Sequence, residues 1–195
     1  MNIGIDIDDT IANTYETGKP YLENYIKNIL KKELKYDLYD KVDYYNLSKK
    51  FGIEPEEERE FWQNYFVSIV KNVVPKKSSV EIINELKEKG NKIILITARF
   101  DDGISDIKKI TEEWLKENNI VFDKLIIDAQ NKLEIAKQEE IDIFIDDSIR
   151  NCEMVSSGGI KTYMFSTEIN QSYNSNNVVR VKSWDEFYEN IKEEI

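Results

Sequence analysis

At 195 residues the chain has room for one core domain with a small insertion, and it is long enough to bury a real hydrophobic core. Its 27 Lys plus Arg stand against 38 Asp plus Glu, and the resulting net charge of -11 opposes broad attraction to nucleic-acid polymers or anionic membrane surfaces. With no histidine and a single cysteine, Cys152, the chain forms no internal disulfide and lacks the familiar zinc sites and histidine-based triads, which leaves acid-base chemistry to carboxylates, Lys, Tyr or water.

The first residues carry no basic run followed by an apolar stretch, and no later segment is apolar for long enough to span a bilayer, so the cytoplasm is the expected location. Residues 2–7 are an apolar, β-branched run that reads as a buried strand, and they lead into Asp6-Ile7-Asp8-Asp9-Thr10. From residue 13 to residue 77 the strand signals stop. Helical runs at 20–32 and 55–71, each with proline in its first turn, describe a helical insertion. Ser78 with Glu81 then reads as a capping box, and Gly90 as the stop of the helix between them and residue 89.

Strand-like runs follow at 92–96, 124–127 and 141–145, with a fifth at 160–165 and a short edge strand at 178–181. The polar run 170–177 suits a mobile loop, and Ser183 with Glu186 forms a second capping box ahead of the last helix. Alternation of this kind predicts an α/β fold, a three-layer Rossmann-like parallel sheet. Its core would be residues 1–12 and 78–195, with the small all-helical insertion at 13–77.

Ligands of an open parallel sheet bind at the carboxyl ends of the strands. Those ends are unusually polar here: Asp6, Asp8, Asp9 and Thr10 after the first run, Thr97 and Arg99 after the second, Asp128 to Lys132 after the third, and Asp146, Asp147 and Ser148 after the fourth. Two like charges about 4 Å apart repel by roughly 4 kcal/mol near a protein surface, so such crowding requires an offset. A hard divalent cation with oxygen ligands provides one, and magnesium leaves positions for water and a phosphate oxygen. A carboxylate nucleophile, a metal and positioned donors are the parts that phosphoryl transfer through an aspartyl-phosphate needs. Asp6 is placed to attack, and Asp8, two residues on along an extended chain, to protonate the leaving oxygen and later activate water.

In this order the motifs resemble those of the haloacid dehalogenase superfamily: Asp6-Ile7-Asp8-Asp9-Thr10, then Thr97, Lys132 and Asp146-Asp147. The resemblance implies Asp6 as nucleophile, Asp8 as general acid/base and metal ligand, Asp146 and Asp147 as magnesium ligands beside Asp6, and Thr97, Ala98, Arg99 and Lys132 around the phosphoryl group. Aspartate at position 8 favours phosphatases over dehalogenases. The insertion resembles the small cap of the superfamily's first cap class. Within that class, Phe61-Trp62-Gln63-Asn64-Tyr65-Phe66 and Val74-Pro75 resemble the 5'(3')-deoxyribonucleotidases, the cytosolic type C 5'-nucleotidases, and their bacterial relatives, although Ala98-Arg99 stands where better-known members carry Ser-Pro.

The implied substrate is a small phosphorylated molecule, a nucleoside monophosphate, with a sugar phosphate as the alternative. A phospho-accepting signalling domain fits less well, since receivers carry the acidic pair on the first strand and the accepting Asp on a middle one. Lys124 and Lys137 compete with Lys132 for the phosphate role, and Arg99 either meets substrate or pairs with Asp101 or Asp102. Most of the aromatic run fills the insertion's interior, with Phe61 or Trp62 as candidates to grip substrate.

Overall fold

The computed structural model of the chain describes residues 1–33, 51–100, 106–168 and 170–195. In chain order the elements are β1 (Asn2–Ile5), α1 (Thr14–Asn24), α2 (Pro55–Asn72), α3 (Ser79–Glu88), β2 (Lys92–Ile96), α4 (Ile107–Glu117), β3 (Lys124–Ile126), α5 (Lys132–Gln138), β4 (Ile143–Asp146), α6 (Ile149–Ser157), β5 (Lys161–Phe165), β6 (Val178–Val181) and α7 (Trp184–Ile191). The six strands form one sheet in the order β3-β2-β1-β4-β5-β6, every neighbouring pair parallel.

Register and pleat assign the faces. Gly4 lies beside Ile94 and Phe144, while Ile3 lies beside Ile93 and Ile143. Successive side chains of a strand point to opposite faces, so Ile94, Ile96 and Phe144 share one face, where they join Ala136 of α5 and Val155 of α6 in a buried cluster. Gly4 permits the approach, because a Cβ there would lie 3.0 Å from Phe144 Cδ2. On the other face Tyr163, which neighbours Ile145, meets Phe187 of α7 edge-on at 5.1 Å, and α7 packs against α3. Helices on both faces of a parallel sheet make the three layers that the strand-helix alternation predicts.

Two strand boundaries differ from expectation by more than one residue. β1 ends at Ile5 because the Ile7 carbonyl is drawn into a turn, accepting from the amides of Thr10 (3.3 Å), Ile11 (2.9 Å) and Ala12 (2.9 Å), with Asp9 left-handed at φ 57°. β4 begins only at Ile143, since the Ile141 amide is spent on the Ala136 carbonyl (2.8 Å), closing the helix before it. The two expected capping boxes fare differently. Ser183 accepts from the Glu186 amide (3.1 Å), and Glu186 in turn accepts from Lys182 (2.7 Å). Ser78 is left-handed at φ 63° and makes no side-chain cap bond, so the expected box there is absent. Gly90, at φ 87°, stops α3 as expected: its amide reaches Lys87 and that of Asn91 reaches Leu86, the paired bonds that satisfy the last carbonyls.

The chain divides into two compact units, one of residues 1–13 and 74–195 holding the sheet, the other of residues 14–73. The second unit is built on α1 and α2, with a single π-helical turn, Tyr25–Ile29, extending α1. α2 starts where proline signalled: Pro55 is its first residue, and Glu54 and Glu57 form the capping box. α1 starts at Thr14, six residues before the proline expected to open it. Pro20 costs this helix one amide, which is outweighed by a stripe of Thr14, Gly18 and Leu22 buried at four-residue spacing. The unit's core is Leu22, Tyr25, Ile26, Phe51, Ile53, Phe61 and Ile69.

Candidate active site

From β1 the chain steps through β2 to β3 on one side and returns to β4 on the other, so the order reverses between β1 and β4, where doubly wound sheets form their ligand crevice. Asp6 directly follows β1 and Asp146 ends β4, and the two strand ends are joined by a hydrogen bond from the Asp6 amide to the Ile145 carbonyl (3.0 Å). Asp6, Asp146 and Asp147 are all buried, and their carboxylate oxygens lie within 4.8 Å of one another. Lys132, only 1% exposed as the first residue of α5, extends its ammonium into this cluster and donates to Asp6 Oδ1 (2.5 Å) and Asp146 Oδ2 (2.7 Å). Of the three candidate lysines only this one reaches the carboxylates: Lys124 pairs with Glu139 (2.5 Å) on the surface, and Lys137 is exposed.

Other groups, without a sequence motif to mark them, hold the carboxylates in place. Asp146 accepts from the Ser148 amide (2.7 Å) and from Asn151 Nδ2 (3.1 Å). Asn170 donates to the Asp147 carbonyl (2.8 Å) and is itself clamped by Arg180, whose guanidinium donates to Asn170 Oδ1 (2.7 Å) and to its carbonyl (2.8 Å). Asn170 thus opens the polar run expected to be mobile as a fully buried residue, because its amide side chain replaces strand hydrogen bonds at the end of β5. Trp184 of α7 donates its indole N–H to the Thr10 carbonyl (3.0 Å), tying down the turn after Asp8.

The electrostatics are those of a site with too few cations. Burial pushes the Asp6 carboxyl up to about 8; Lys132 opposes the shift, while Asp146 and Asp8 add to it. Burial works against the Lys132 ammonium, yet Asp146 and Asp6 outweigh it and hold its pKa above the ordinary range. The two directions reconcile if the clustered carboxylates exceed the one ammonium, so that either a proton or a second cation balances the rest. The donor set is all hard oxygen, which fits a magnesium ion better than a soft metal. Cys152 lies beneath Asp146, with its thiol donating to the Asp146 carbonyl (3.3 Å), and burial together with the nearby carboxylates raises it far above the thiolate range.

Thr97 is buried at the end of β2, its amide on the Ile126 carbonyl (3.0 Å), its carbonyl accepting from Ala129 (3.0 Å) and its hydroxyl from the Arg99 amide (3.2 Å). Ala98 is exposed between them. Arg99 is buried and grips Asp8 with two hydrogen bonds, Nε to Oδ2 (2.8 Å) and Nη2 to Oδ1 (2.7 Å). The alternative partners Asp101 and Asp102 lie outside the described residues. Phe61, a candidate substrate contact, is 1% exposed inside the second unit's core, where it packs against Tyr25, Trp62 and Tyr65. Its neighbour Trp62 keeps partial exposure.

A reversing parallel sheet of this kind is the fold of solved hydrolases of the haloacid dehalogenase superfamily. It matches the crystal structure of YfnB, a proposed hydrolase of that superfamily from Bacillus subtilis bound to magnesium, with a TM-score of 0.66 at 14% identity over 98% of each chain. At sequence level, residues 1–194 match the family model described as 5' nucleotidase, deoxy (pyrimidine), cytosolic type C protein, and the chain belongs to that family. Among its relatives are a nucleotidase of Clostridium acetobutylicum, 29% identical over 96% of this chain and 92% of its own, and YqfW of Bacillus subtilis, a proposed nucleotidase, 31% identical over 94% and 90%. The chain is accordingly a phosphoric monoester hydrolase.

Proposed function

We propose that this phosphatase is magnesium-dependent and removes phosphate from nucleoside monophosphates through an aspartyl-phosphate on Asp6. The observation that carries the reading is the Asp6 carboxylate, buried at the β1/β4 crevice in contact with Lys132 and beside Asp146. In this scheme an Asp6 oxygen attacks phosphorus as the bond to the leaving oxygen breaks, and Asp8 gives that oxygen a proton. Asp8 then takes a proton from the water that attacks the phosphorylated Asp6, releasing inorganic phosphate and restoring the carboxylate. Lys132, the Thr97 hydroxyl and the backbone at Ala98 donate to the phosphoryl oxygens.

Asp6, Asp146, Asp147 and the Asp8 carbonyl are the groups that would hold magnesium. When bound, the ion supplies the positive charge that offsets both the carboxylates and the incoming phosphate. Residues 13–77 take the part of a small cap, with Trp62 rather than Phe61 as its candidate substrate contact, because Trp62 is the one still partly exposed. Among the described residues no helix is long and apolar enough to cross a membrane.

The nucleotide preference rests on the family and on the relatives' names. A panel of nucleoside monophosphates, sugar phosphates and an aryl phosphate, each with magnesium and after thorough chelation, tests it. Nucleotides should give the highest kcat/KM, and chelation should silence all activity. Equal activity on sugar phosphates would remove the nucleotide assignment, and activity that survives chelation would remove the metal.

A further inference from the structure

We infer that Arg99 is a positioning residue for Asp8, and that it acts on the leaving-group proton rather than on the phosphate; this rests on the reading of Asp8 as the acid/base. The Nε–Nη2 edge of its guanidinium is committed to both Asp8 oxygens, at 2.8 and 2.7 Å. The remaining nitrogen, Nη1, donates to Thr111 Oγ1 of α4 (3.2 Å), and Cζ lies 5.9 Å from the centre of the Trp114 ring one turn further along. The Arg99 side chain is 1% exposed against 30% for Asp8, so the guanidinium is anchored in the interior and the carboxylate is the end that faces solvent. Its backbone is held as well: the amide donates to Thr97 Oγ1, and the carbonyl accepts from Asp128 (2.7 Å).

A two-point grip of this kind holds both carboxylate oxygens in one plane with the guanidinium, which a lysine ammonium cannot do. A carboxylate oxygen carries more than one lone pair, so binding to Arg99 does not by itself prevent it from exchanging a proton with the leaving group. Proton donation matters when the leaving group is a poor anion such as an alkoxide, and little when it is a stabilised phenolate. A residue that orients the acid is therefore felt through leaving-group dependence, whereas one that binds phosphate is felt equally on every monoester.

The test compares Arg99→Gln, Arg99→Lys and Asp8→Asn on p-nitrophenyl phosphate and on the best alkyl monoester of the substrate panel, at saturating magnesium, with circular dichroism to establish folding. Arg99→Gln should lower kcat/KM on the alkyl ester, which reports phosphoryl transfer without the shared hydrolysis of phosphorylated Asp6, by about 10²-fold, near the lower end of what general acid-base catalysis contributes, with a much smaller loss on the aryl ester. Arg99→Lys should restore only part of it. Thr111→Val, which removes the Nη1 partner and leaves the charge, should shift the two substrates the same way by a smaller factor, and it decides the matter if Arg99→Gln fails to fold. Equal losses of kcat/KM on both esters, or no loss, would overturn the inference. If Asp8→Asn retains full activity on the alkyl ester, the acid/base reading itself has failed; if Asp8→Asn discriminates between the esters and Arg99→Gln does not, only the positioning role has.

Discussion

Lys132 is the residue on which the buried charge of the site turns. Its ammonium lies between Asp6 and Asp146, all three shielded from water, and removing one partner of a buried charge cluster is far more damaging than never having built it. Lys132→Met should therefore cost about 3–5 kcal/mol of stability, since it leaves the carboxylates uncompensated. Asp6→Asn should do the opposite: burial and neighbouring carboxylates already raise the Asp6 pKa, so removing its charge relieves repulsion. Urea unfolding in the absence of magnesium should show Asp6→Asn at least as stable as the parent protein, and turnover should be abolished. Near-normal turnover in folded Asp6→Asn would eliminate it as nucleophile, and a loss matching that of Lys132→Met would eliminate the charge argument. The aspartates were legible from their motifs. The motif order named Lys132, but composition alone could not say which of Lys124, Lys132 and Lys137 turns inward. Helix phase decides it: Lys132 shares a face of α5 with buried Ala136 four residues later, and Lys137 falls on the opposite side.

At the scale of elements, the strands were legible because buried parallel strands are continuous β-branched runs, and their bounds shifted by more than one residue only where a backbone group is diverted, at the Ile7 carbonyl and the Ile141 amide. Pro20 misled because proline opens helices more often than it sits inside them, and burial of the α1 stripe outweighs that preference. Asn151, Asn170 and Arg180 were invisible, since single polar residues that brace a site have no spacing to announce them. Asp123 is of the same kind. Just before β3, it accepts from Lys87 at the end of α3 (2.8 Å) and from the Ile93 amide of β2 (2.7 Å). Burial opposes its ionisation, but those hydrogen bonds prevail and hold its pKa below the ordinary carboxylate range. The stability it contributes is therefore fully present above its unfolded pKa and disappears as pH falls through the lower folded value. Asp123→Asn should lose roughly 1–2 kcal/mol at neutral pH and progressively less in acid, as expected for partly exposed charged hydrogen bonds. Chemical unfolding at neutral pH and at acid pH checks this, and a loss that is constant with pH would show that the charge of Asp123 is not what ties α3 to β2.

Over the whole molecule, a net charge of -11 sets the sign of the field that an anionic substrate meets on approach. The site does not reverse that field locally, because the carboxylates around Lys132 outnumber it. In the proposed scheme a dianionic phosphomonoester must approach against repulsion until it reaches the groups that would hold it, the Lys132 ammonium and the Thr97 hydroxyl among them. Added salt shortens the reach of that repulsion, from about 30 Å at 0.01 M ionic strength to about 10 Å at 0.1 M. The kcat/KM for a nucleoside monophosphate should thus rise severalfold over that range at constant free magnesium, with the change in KM and kcat nearly flat. An acidic enzyme with a strongly basic entrance would behave in the reverse sense, because salt would then screen an attraction. A kcat/KM that falls with salt would therefore point to cationic groups steering the substrate in, and the neutralising charge at the entrance would have to come from beyond Lys132.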